Sequence, residues 1–552
     1  MIAIEQEVHK IGGIVRVCRF SIWNHNRIQD ATIEVGRHLV IVGPNDVGKS
    51  SILRCLDLAL GSSTGALYQK LTIADFRDTR QPLTIEVVLT GISMVDRELF
   101  PDEINVDPQT SAETLRVRLD VEADDLGTLS IRRTAPDGAT GRQISRDQLL
   151  GLGWTTLSAT QTSFRDFRDE KNPSVASILA SVDLGEEAVI FKDISESMQS
   201  QLDDSIILRD LRTRISGQLS KALPAKLEHG DLSFVSNASS DPFAEVRLQF
   251  KSADGVRTFS EMSDGSRALY AMALFDLVAS SASIVAIDEP EVHLHPASQR
   301  SLARLLESGQ TQKIIATHSP DVVAMFAVDE ILVVKPGGKM VQAKRGVFSN
   351  DESMKLRWWV PNKLKPLTAR KVVIVEGISD DVILRKVGEL TARSIEQLGV
   401  TSLPLGGGGE VKPVFKLFGP NGFDIDMAIL IDRDAVGATE LHTSTTEADF
   451  GTQSIFVSEP DLEGEYVRAI GSEVLYKALC DSALFSKGRL SSLAMVAGTA
   501  FPSDYDLSAF CRLRGNKVDS ALVASQVLTP ETAAKVHSVH RLLDDLVSVG
   551  DA

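Results

Sequence analysis

A chain of 552 residues is too long for one hydrophobic core, and a length of this order favours about three or four domains. Its hydrophobic content of 43% and charged content of 24% are ordinary for a globular protein, and no apolar stretch approaches the roughly 20 residues that span a bilayer, so we expect no membrane association. The net charge of −17 weighs mildly against a nucleic-acid protein, because phosphate affinity comes from lysine and arginine; any DNA contact therefore requires a local basic groove.

The first chemical signature is the segment VIVGPNDVGKSS, in which a short apolar run ends at Gly43. The spacing from Gly43 to Ser50 fits the phosphate-binding loop G-x-x-x-x-G-K-S, with a strand before it and a helix after it. In such a loop backbone N–H groups wrap the β-phosphate, the lysine reaches the β and γ oxygens, and the serine hydroxyl ligates Mg²⁺. The positive end of the helix dipole faces the same anion. We therefore predict that ATP is bound by Asn45, Gly48, Lys49, Ser50 and Ser51.

Short β-rich segments surround this loop, among them VRVCRFSIW, ATIEV, PLTIEVVLTGI and TLRVRLDVEA, and they are broken by glycine, aspartate and proline. They predict an α/β nucleotide domain in which a parallel sheet carries an antiparallel side sheet. Between 161 and 227 apolar residues recur at helical spacing, which predicts a helical insert. A dimerisation element and a solvated helical cap explain this insert equally well.

Two further segments extend the nucleotide signature. The segment FSEMSDGSRALY opens an amphipathic helix at Ser263 to Gly265, and SIVAIDEP is a buried strand that ends in Asp288 and Glu289. A strand that delivers two carboxylates to its C-terminal end is a Walker B arrangement, in which Asp288 holds the Mg²⁺ shell and Glu289 polarises the attacking water. The next strand, KIIATHS, ends at His318. This alternation predicts a parallel sheet whose carboxyl edge carries the ligands.

The chain resembles the ATPase heads of the ATP-binding-cassette (ABC) class, within its RecF and SMC-like branch. The resemblance lies in the order of four motifs: the phosphate loop, the signature helix that opens at Ser263 to Gly265, DEPE-x-H-x-HP and THS. The resemblance implies that ATP lies between two heads. One head supplies Lys49, Ser50, Asp288, Glu289 and His318, and the other offers Ser263 and Gly265 to the γ-phosphate. It places the ATPase domain at 1–160 and 228–348, followed by a polar linker at 349–368. We expect no long coiled-coil arms of the kind that SMC proteins carry.

The last third of the chain repeats the sequence of strand, carboxylate and helix. KVVIVEGISDD places Glu376 at the end of an apolar strand and Asp380 one helical turn later, and DMAILIDRD places Asp432 and Asp434 at the end of another strand. Alternate residues of an extended segment point the same way, so the D-x-D carboxylates can share a cation. Oxygen ligands from two strand ends are the donors that Mg²⁺ prefers.

This pattern resembles the Toprim domain of topoisomerases, primases and a set of nucleases, a Rossmann-like α/β fold that we place at 369–552 with a C-terminal helical part. An ATPase followed by a Toprim domain is similar to the overcoming-lysogenisation-defect (OLD) family of nucleases, which includes the nuclease subunit of the Gabija phage-defence system. The resemblance implies metal binding by Glu376, Asp380, Asp432, Asp434, Asp461 and Glu463, with Ser50 and Asp288 serving the ion at ATP. It also implies that Lys517 stabilises charge on the scissile phosphate. Asp461 stands where the family pattern has serine or threonine.

From these features we predict an ATP-binding, divalent-metal-dependent DNA endonuclease. Glu376, Asp432, Asp434 and Lys517 act in phosphodiester hydrolysis, Glu289 acts in ATP hydrolysis, and two Mg²⁺ or Mn²⁺ ions about 4 Å apart serve the Toprim site. One alternative is an ATP-dependent DNA-binding clamp or sensor without nuclease activity; another is a primase-like nucleotidyl transferase.

The resemblance also bears on partners and setting. It implies a homodimer or higher homo-oligomer, a UvrD-like helicase as a further partner, and a role in phage defence or DNA processing. The four cysteines lie far apart without a C-x-x-C pair, which favours a reducing, cytoplasmic location.

Overall fold

The computed structural model describes residues 14–138, 142–158, 283–292, 294–309, 311–344, 365–405, 411–443 and 445–548 except 491, 492, 494 and 498, with the strands at 249–252 and 255–258 and isolated positions between 197 and 209. The predicted signature at Ser263 and Gly265, nearly all of the predicted helical insert and most of the predicted linker lie outside the described residues. Across the described ranges, no helix is both long and apolar enough to cross a bilayer.

The chain divides into two compact units, residues 1–152 with 313–552 and residues 153–312. The strands are β1 (Arg16–Trp23), β2 (Ala31–Glu34), β3 (Leu39–Val42), β4 (Leu83–Thr90), β5 (Ile104–Val106), β6 (Glu113–Ala123), β7 (Leu129–Thr134), β8 (Trp154–Ser158), β9 (Gln249–Ser252), β10 (Gly255–Thr258), β11 (Ile284–Asp288), β12 (Gln312–Thr317), β13 (Ile331–Val334), β14 (Met340–Gln342), β15 (Lys371–Val375), β16 (Val400–Pro404), β17 (Met427–Asp432) and β18 (Ile455–Ser458).

The helices are α1 (Lys49–Leu60), α2 (Thr64–Lys70), α3 (Met94–Leu99), α4 (Arg146–Gly151), α5 (Pro296–Ser308), α6 (Pro320–Val323), α7 (Ile378–Leu390), α8 (Val411–Phe418), α9 (Val436–Thr443), α10 (Leu462–Ile470), α11 (Ser472–Asp481), α12 (Lys487–Leu490), α13 (Asp504–Arg512), α14 (Lys517–Val527), α15 (Pro530–Ala533) and α16 (His537–Ser548). Short 3-10 turns join several of them, including one at Arg433–Ala435.

The first unit contains an antiparallel sheet in the order β2-β1-β4-β6-β5, with β7 also paired to β6. Its residues alternate between core and solvent, as in β6, where Leu115, Val117, Leu119 and Val121 are buried between half-buried charged residues. This alternation is the pattern of a sheet with one solvated face. The antiparallel side sheet predicted from the sequence is confirmed.

The same unit holds the strands around the phosphate loop. In it β3 pairs in parallel with β12 and with β13, and β13 pairs antiparallel with the edge strand β14. Every residue of β3, β12 and β13 is buried, which explains their near-continuous apolar sequences. The carboxyl ends of β3 and β12 therefore meet at one edge, where Gly43 and His318 follow.

The second unit pairs β8 in parallel with β11 and β9 antiparallel with β10. Helix α5 begins with Pro296 in its first turn, and the N-cap His295 accepts a hydrogen bond from the backbone of Ala297. Pro in the first turn loses no intrahelical bond, because that N–H has no partner in a helix.

A four-stranded parallel sheet in the order β16-β15-β17-β18 forms the second α/β part of the first unit. Helix α7 connects β15 to β16, and the helices from α10 onward pack against the sheet through a core that includes Val373, Leu384, Tyr466 and Leu542. Since all four strands run the same way, Glu376 and Asp432 reach one carboxyl edge. The predicted α/β class is confirmed, and the four-stranded parallel sheet, which lies in the predicted Toprim domain, is called here the Toprim-type sheet.

The β13–β14 turn contacts the segment that leads into β17. The Lys335 ammonium lies 3.2 Å from Asp426 Oδ1, and Lys339 Nζ lies 2.9 Å from Asp424 Oδ2. A further hydrogen bond of 2.8 Å runs from Lys344 Nζ to Asn421 Oδ1. The strand beside the phosphate loop is thus linked by ion pairs to the strand that ends in Asp432.

Candidate metal centre and nucleotide site

The phosphate loop lies between β3 and α1, and its conformation depends on two glycines. Gly48 has a φ of +109°, in the left-handed region that side chains disfavour. A Cβ atom on Gly43 would lie 2.2 Å from the carbonyl oxygen of Val334, closer than any real contact. Lys49 is buried and donates hydrogen bonds to the carbonyl oxygens of Gly43, at 3.1 Å, and Pro44, at 2.6 Å. The lysine is therefore folded back over its own loop.

The other predicted ATP-binding residues lie in the phosphate loop, at the start of α1 and directly after β12. Asn45 and Ser50 are exposed at the loop and at the start of α1, and Ser51 is half-buried. His318 follows β12 directly, at the end of the parallel neighbour of β3.

In the second unit, Asp288 is the last residue of β11, and Glu289 has a φ of 51°. A left-handed backbone is uncommon for a glutamate and costs about 1–2 kcal/mol. Such strain persists where the surrounding structure fixes it, and it recurs at functional sites.

Three of the predicted metal ligands converge at the carboxyl edge of the Toprim-type sheet. Glu376, Asp432 and Asp434 each offer a carboxylate oxygen, and these atoms all lie within 4.8 Å of one another. The backbone N–H of Asp432 donates a hydrogen bond of 2.9 Å to Glu376 Oε1, which fixes the glutamate across the strand pair. Asp432 Oδ1 in turn accepts a 3.0 Å hydrogen bond from the N–H of Leu462 at the start of α10.

Two more predicted ligands lie deeper, on the buried faces of helices. Asp380 shares a face of α7 with Ile383, Leu384 and Val387, and its carboxylate accepts hydrogen bonds from Gly377 N at 2.9 Å and Ser379 Oγ at 3.0 Å. Neither this residue nor Glu463 belongs to the group of three described above.

Glu463 lies on the buried face of α10 with Tyr466, Val467 and Ile470, at the i, i+3, i+4 and i+7 spacing of a core-facing helix. Its exposed fraction is 0%, and neither carboxylate oxygen has a hydrogen-bond partner among the described residues. A buried carboxylate without hydrogen bonds is costly, so this group calls for a cationic neighbour.

Lys517 provides that neighbour from the first position of α14. Its ammonium lies 3.5 Å from Glu463 Oε1 and 3.6 Å from Asp432 Oδ2, so one cation joins the two carboxylates. Burial opposes the charged lysine, yet the carboxylates around it, Asp380 foremost and then Glu463, hold its pKa above the ordinary value. The ammonium is therefore charged throughout the neutral range.

Asp461 has a different set of contacts from the other predicted ligands. It is the N-cap of α10, and its Oδ1 accepts a 2.7 Å hydrogen bond from the N–H of Gly464. Its other oxygen forms an ion pair with Arg512 at the end of α13. Both carboxylate oxygens are thus engaged within the protein, and like Asp380 it stands outside the group of three.

Burial, and after it the crowding of like charges, raises the pKa values of these carboxyl groups. Burial, and next the charge of Glu376, raise the pKa of Asp432 to about 8. Burial raises the pKa of Glu463 to about 7 even though Lys517 acts in the opposite direction, and burial also raises the pKa values of Glu376 and Asp380. Ionising these neighbouring carboxyl groups together costs free energy, and a bound divalent cation would offset that cost.

The donor set fits such a cation. The ligands are carboxylate oxygens alone, the donors that Mg²⁺ and Mn²⁺ prefer, and thiol and imidazole groups are absent from the group of three. The exposed Asp434 leaves one side of the site open to a phosphate.

Sequence reasoning missed the residues that support these ligands. Arg512 pairs with Asp461, Arg489 contacts the loop before Lys517, and Asn516 donates a 2.9 Å hydrogen bond to the carbonyl of Phe510. The available signal was the basic run CRLRGNK directly before Lys517.

Residues 39–324, more than half of the chain, match the family model described as "AAA domain, putative AbiEii toxin, Type IV TA system". The chain belongs to this AAA domain family. Residues 367–434 of this AAA-family chain match the model "Overcoming lysogenization defect protein-like, TOPRIM domain". This range of the chain includes Glu376, Asp380, Asp432 and Asp434. The predicted resemblance, an ATPase followed by an OLD-like Toprim domain, is confirmed.

Among curated proteins, this AAA-family chain is 25% identical over 328 residues to the OLD nuclease of Thermus scotoductus, covering 55% of this chain and 58% of that protein. It is 31% identical over 93 residues to the energy-coupling factor transporter ATP-binding protein EcfA2 of Staphylococcus aureus, covering 16% of this chain and 32% of that protein. The chain therefore spans less than two thirds of the length of these relatives.

Among solved structures, the C-terminal region of the Burkholderia pseudomallei OLD protein shares 18% identity at a TM-score of 0.27, covering 32% of this chain and 98% of that one. The SMC head domain from Thermotoga maritima shares 14% identity at a TM-score of 0.32, covering 60% of this chain and 99% of that one. The fold of the AAA-family chain is therefore defined by the strand order and helices of its own structure.

Proposed function

We propose that this chain is an ATP-binding, divalent-metal-dependent endonuclease that hydrolyses DNA in its Toprim-type domain. The observation that carries the proposal is the convergence of Glu376, Asp432 and Asp434, whose carboxylate oxygens lie within 4.8 Å of one another at an open sheet edge. Two comparisons support the choice of substrate: residues 367–434, which include these carboxylates, match an OLD-like Toprim domain, and the chain is 25% identical over 328 residues to a protein named OLD nuclease.

Each side chain has a role that its position allows. Glu376, Asp432 and Asp434 hold the divalent ions, and Glu463 and Asp380 add negative charge behind them. Mg²⁺ or Mn²⁺ held by these carboxylates would supply Lewis-acid chemistry for the attack of water on phosphorus and for the departure of the 3′-oxygen. Lys517, charged at neutral pH, lies at ion-pair distance from Asp432, 3.6 Å, and beside the metal ligands its ammonium stabilises the negative charge that develops on the phosphate oxygens. Asp461 positions α10 through its N-cap contact.

ATP is proposed to regulate this site from the AAA-type domain. Lys49 and Ser50 bind the phosphates and their Mg²⁺, Asp288 holds the ion, Glu289 orients water, and His318 senses the γ-phosphate. A second copy supplies Ser263 and Gly265, so the active form is a homodimer or larger. A UvrD-like helicase as partner, and a setting in phage defence or DNA processing, follow from the family resemblance alone.

The plasmid-nicking assay tests the chemistry. Supercoiled plasmid is incubated with the full chain in Mg²⁺ or Mn²⁺, with and without ATP, and in EDTA. We expect open-circular and linear products with either metal, none in EDTA, and none from Asp432→Ala. Asp481→Ala, which removes an exposed carboxylate at the end of α11, serves as the matched control and retains activity. A wild-type chain that leaves the plasmid supercoiled, or an Asp432→Ala variant that cuts as well, refutes the proposal.

A second assay separates the nucleotide site from the metal site. Lys49→Ala is expected to lose ATP binding in calorimetry while Mn²⁺ still binds the carboxylate cluster. Loss of both together contradicts the assignment of separate sites.

Light scattering with and without ATP tests the predicted oligomer, and a monomer under both conditions refutes the predicted dimer.

A further inference from the structure

A loop that contains one arginine and is flanked by two further basic residues lies beside the carboxylate cluster of a strongly acidic chain. Residues 513–516 join α13 to α14 and are called here the α13–α14 loop; Arg512 precedes the loop and Lys517 follows it. The chain has 75 aspartates and glutamates against 58 lysines and arginines. Because non-specific DNA affinity comes from cations near phosphates, a DNA enzyme of this composition needs a local basic surface at its active site.

One end of the α13–α14 loop is anchored on the metal site and the other end beside it. Arg512 forms an ion pair with Asp461, the N-cap of the helix that carries Glu463, and Lys517 Nζ lies 3.6 Å from Asp432 Oδ2. Arg514 is two residues from the first anchor and three from the second. At no more than about 3.6 Å of chain per residue, its backbone lies within about 11 Å of that of Lys517.

The loop is braced from behind by side chains that belong to the same helical part. The guanidinium of Arg489 lies 4.9 Å from the centroid of the Phe485 ring, donates a 2.6 Å hydrogen bond to the carbonyl of Gly515 and also contacts Asn516. Asn516 holds the end of α13 through its bond to the carbonyl of Phe510. A loop held in this way binds with little loss of conformational entropy.

The outer side of the loop is open. Residues 512–515 are all exposed, and Leu513 exposes 58% of its surface. Arg512, Arg489 and Lys517 have carboxylate partners. Arg514 differs from them: among the described residues, no hydrogen bond or ion pair involves its side chain. An unpaired arginine is thus presented beside the site, in a chain with an excess of carboxylates.

We propose that the α13–α14 loop is a DNA-backbone contact, in which Arg514 binds a phosphate that flanks the scissile one. The inference rests on the proposed nuclease function and specifies its substrate surface. Arginine suits this role because its planar guanidinium donates two parallel hydrogen bonds to a phosphate and is weakly hydrated. Such a contact positions the duplex and carries no sequence preference.

Fluorescence anisotropy with a labelled DNA duplex in EDTA, from 50 to 200 mM KCl, tests this contact without cleavage. We expect Arg514→Ala to weaken binding uniformly across DNA sequences and to reduce the slope of log affinity against log salt by about 1. Arg514→Lys, which keeps the charge, restores most of the slope. The matched control is Arg370→Ala: Arg370 is exposed at the amino end of β15, about 17 Å of strand from the carboxyl edge. This control leaves the slope unchanged.

Cleavage kinetics distinguish the failure of this inference from the failure of the nuclease function. In Mn²⁺, Arg514→Ala is expected to raise KM and keep kcat, since Arg514 touches the DNA away from the reacting atoms. A wild type that cleaves DNA, with an Arg514→Ala variant of equal salt slope and equal KM, overturns the contact and leaves the nuclease intact. A wild type that neither binds nor cleaves DNA overturns both. A fall in affinity shared equally by Arg370→Ala assigns the effect to net charge and also overturns the contact.

Discussion

Replacing Lys517 with methionine tests the electrostatic account of the site through protein stability. The methionine keeps most of the apolar stem of the lysine and removes the only charge that lies within 4 Å of both Glu463 and Asp432 among the described residues. We expect metal-free Lys517→Met to lose far more stability at pH 9 than at pH 6. The pH dependence follows from the pKa values of its two carboxylate partners.

The magnitude follows from the pKa values of about 8 for Asp432 and about 7 for Glu463. At pH 6 both carboxyl groups already hold protons, so the lysine has little charge to neutralise. At pH 9 both are ionised in the wild type and depend on the ammonium. An opposite charge at this range shifts a carboxyl pKa by about 1–3 units, and each unit is worth about 1.4 kcal/mol. The extra loss at pH 9 is therefore about 1.4–4 kcal/mol.

Urea unfolding in EDTA, followed by circular dichroism at pH 6 and pH 9, measures this difference. Lys535→Met removes an exposed lysine from the same helical part and should cost less than about 1 kcal/mol at both pH values. A loss for Lys517→Met that is the same at pH 6 and pH 9 would show that the lysine acts by packing alone, and the electrostatic reasoning would be wrong.

Three further outcomes follow from the structure. At pH 9 in EDTA, Asp432→Asn should melt at a higher temperature than the wild type, because the substitution removes one of several crowded charges. Added Mn²⁺ should raise the melting temperature of the wild type and leave that of Asp432→Asn unchanged. A rise with Mn²⁺ in the variant would contradict the assignment of Asp432 as a ligand. Burial lowers the pKa of His25 to about 4, below its value of 6.5 when unfolded, so its contribution is intact above pH 6.5 and falls by up to about 3 kcal/mol as the pH drops to 4. His25→Gln should flatten that slope in acid denaturation. Gly43→Ala should lower the melting temperature and abolish ATP binding, because its Cβ would lie 2.2 Å from the carbonyl of Val334, whereas Gly451→Ala, with open space around it, should do neither.

Local sequence predicted the elements and the first group of ligands. Short apolar runs that end in a carboxylate mark buried parallel strands, and such strands bring their ends to one edge. The meeting of Glu376 with Asp432 and Asp434 could therefore be inferred from two separate segments. The same rule predicted the phosphate loop, because its glycines and lysine act through the local backbone. The catalytic and ligand roles of these residues stay predictions.

Only the tertiary structure decided how the supporting charges are arranged. Helical spacing places Glu463 on the buried face of α10, but it does not show that the carboxylate lacks hydrogen bonds or that Lys517 joins it to Asp432. Nor does the sequence show that the oxygens of Asp461 bind Gly464 and Arg512. These contacts join helices that are distant in the chain, and their strength depends on separation and burial, which the order of residues does not encode. Sequence thus determined which strand ends carry acid groups, and packing determined how much those groups repel and what cation holds them together.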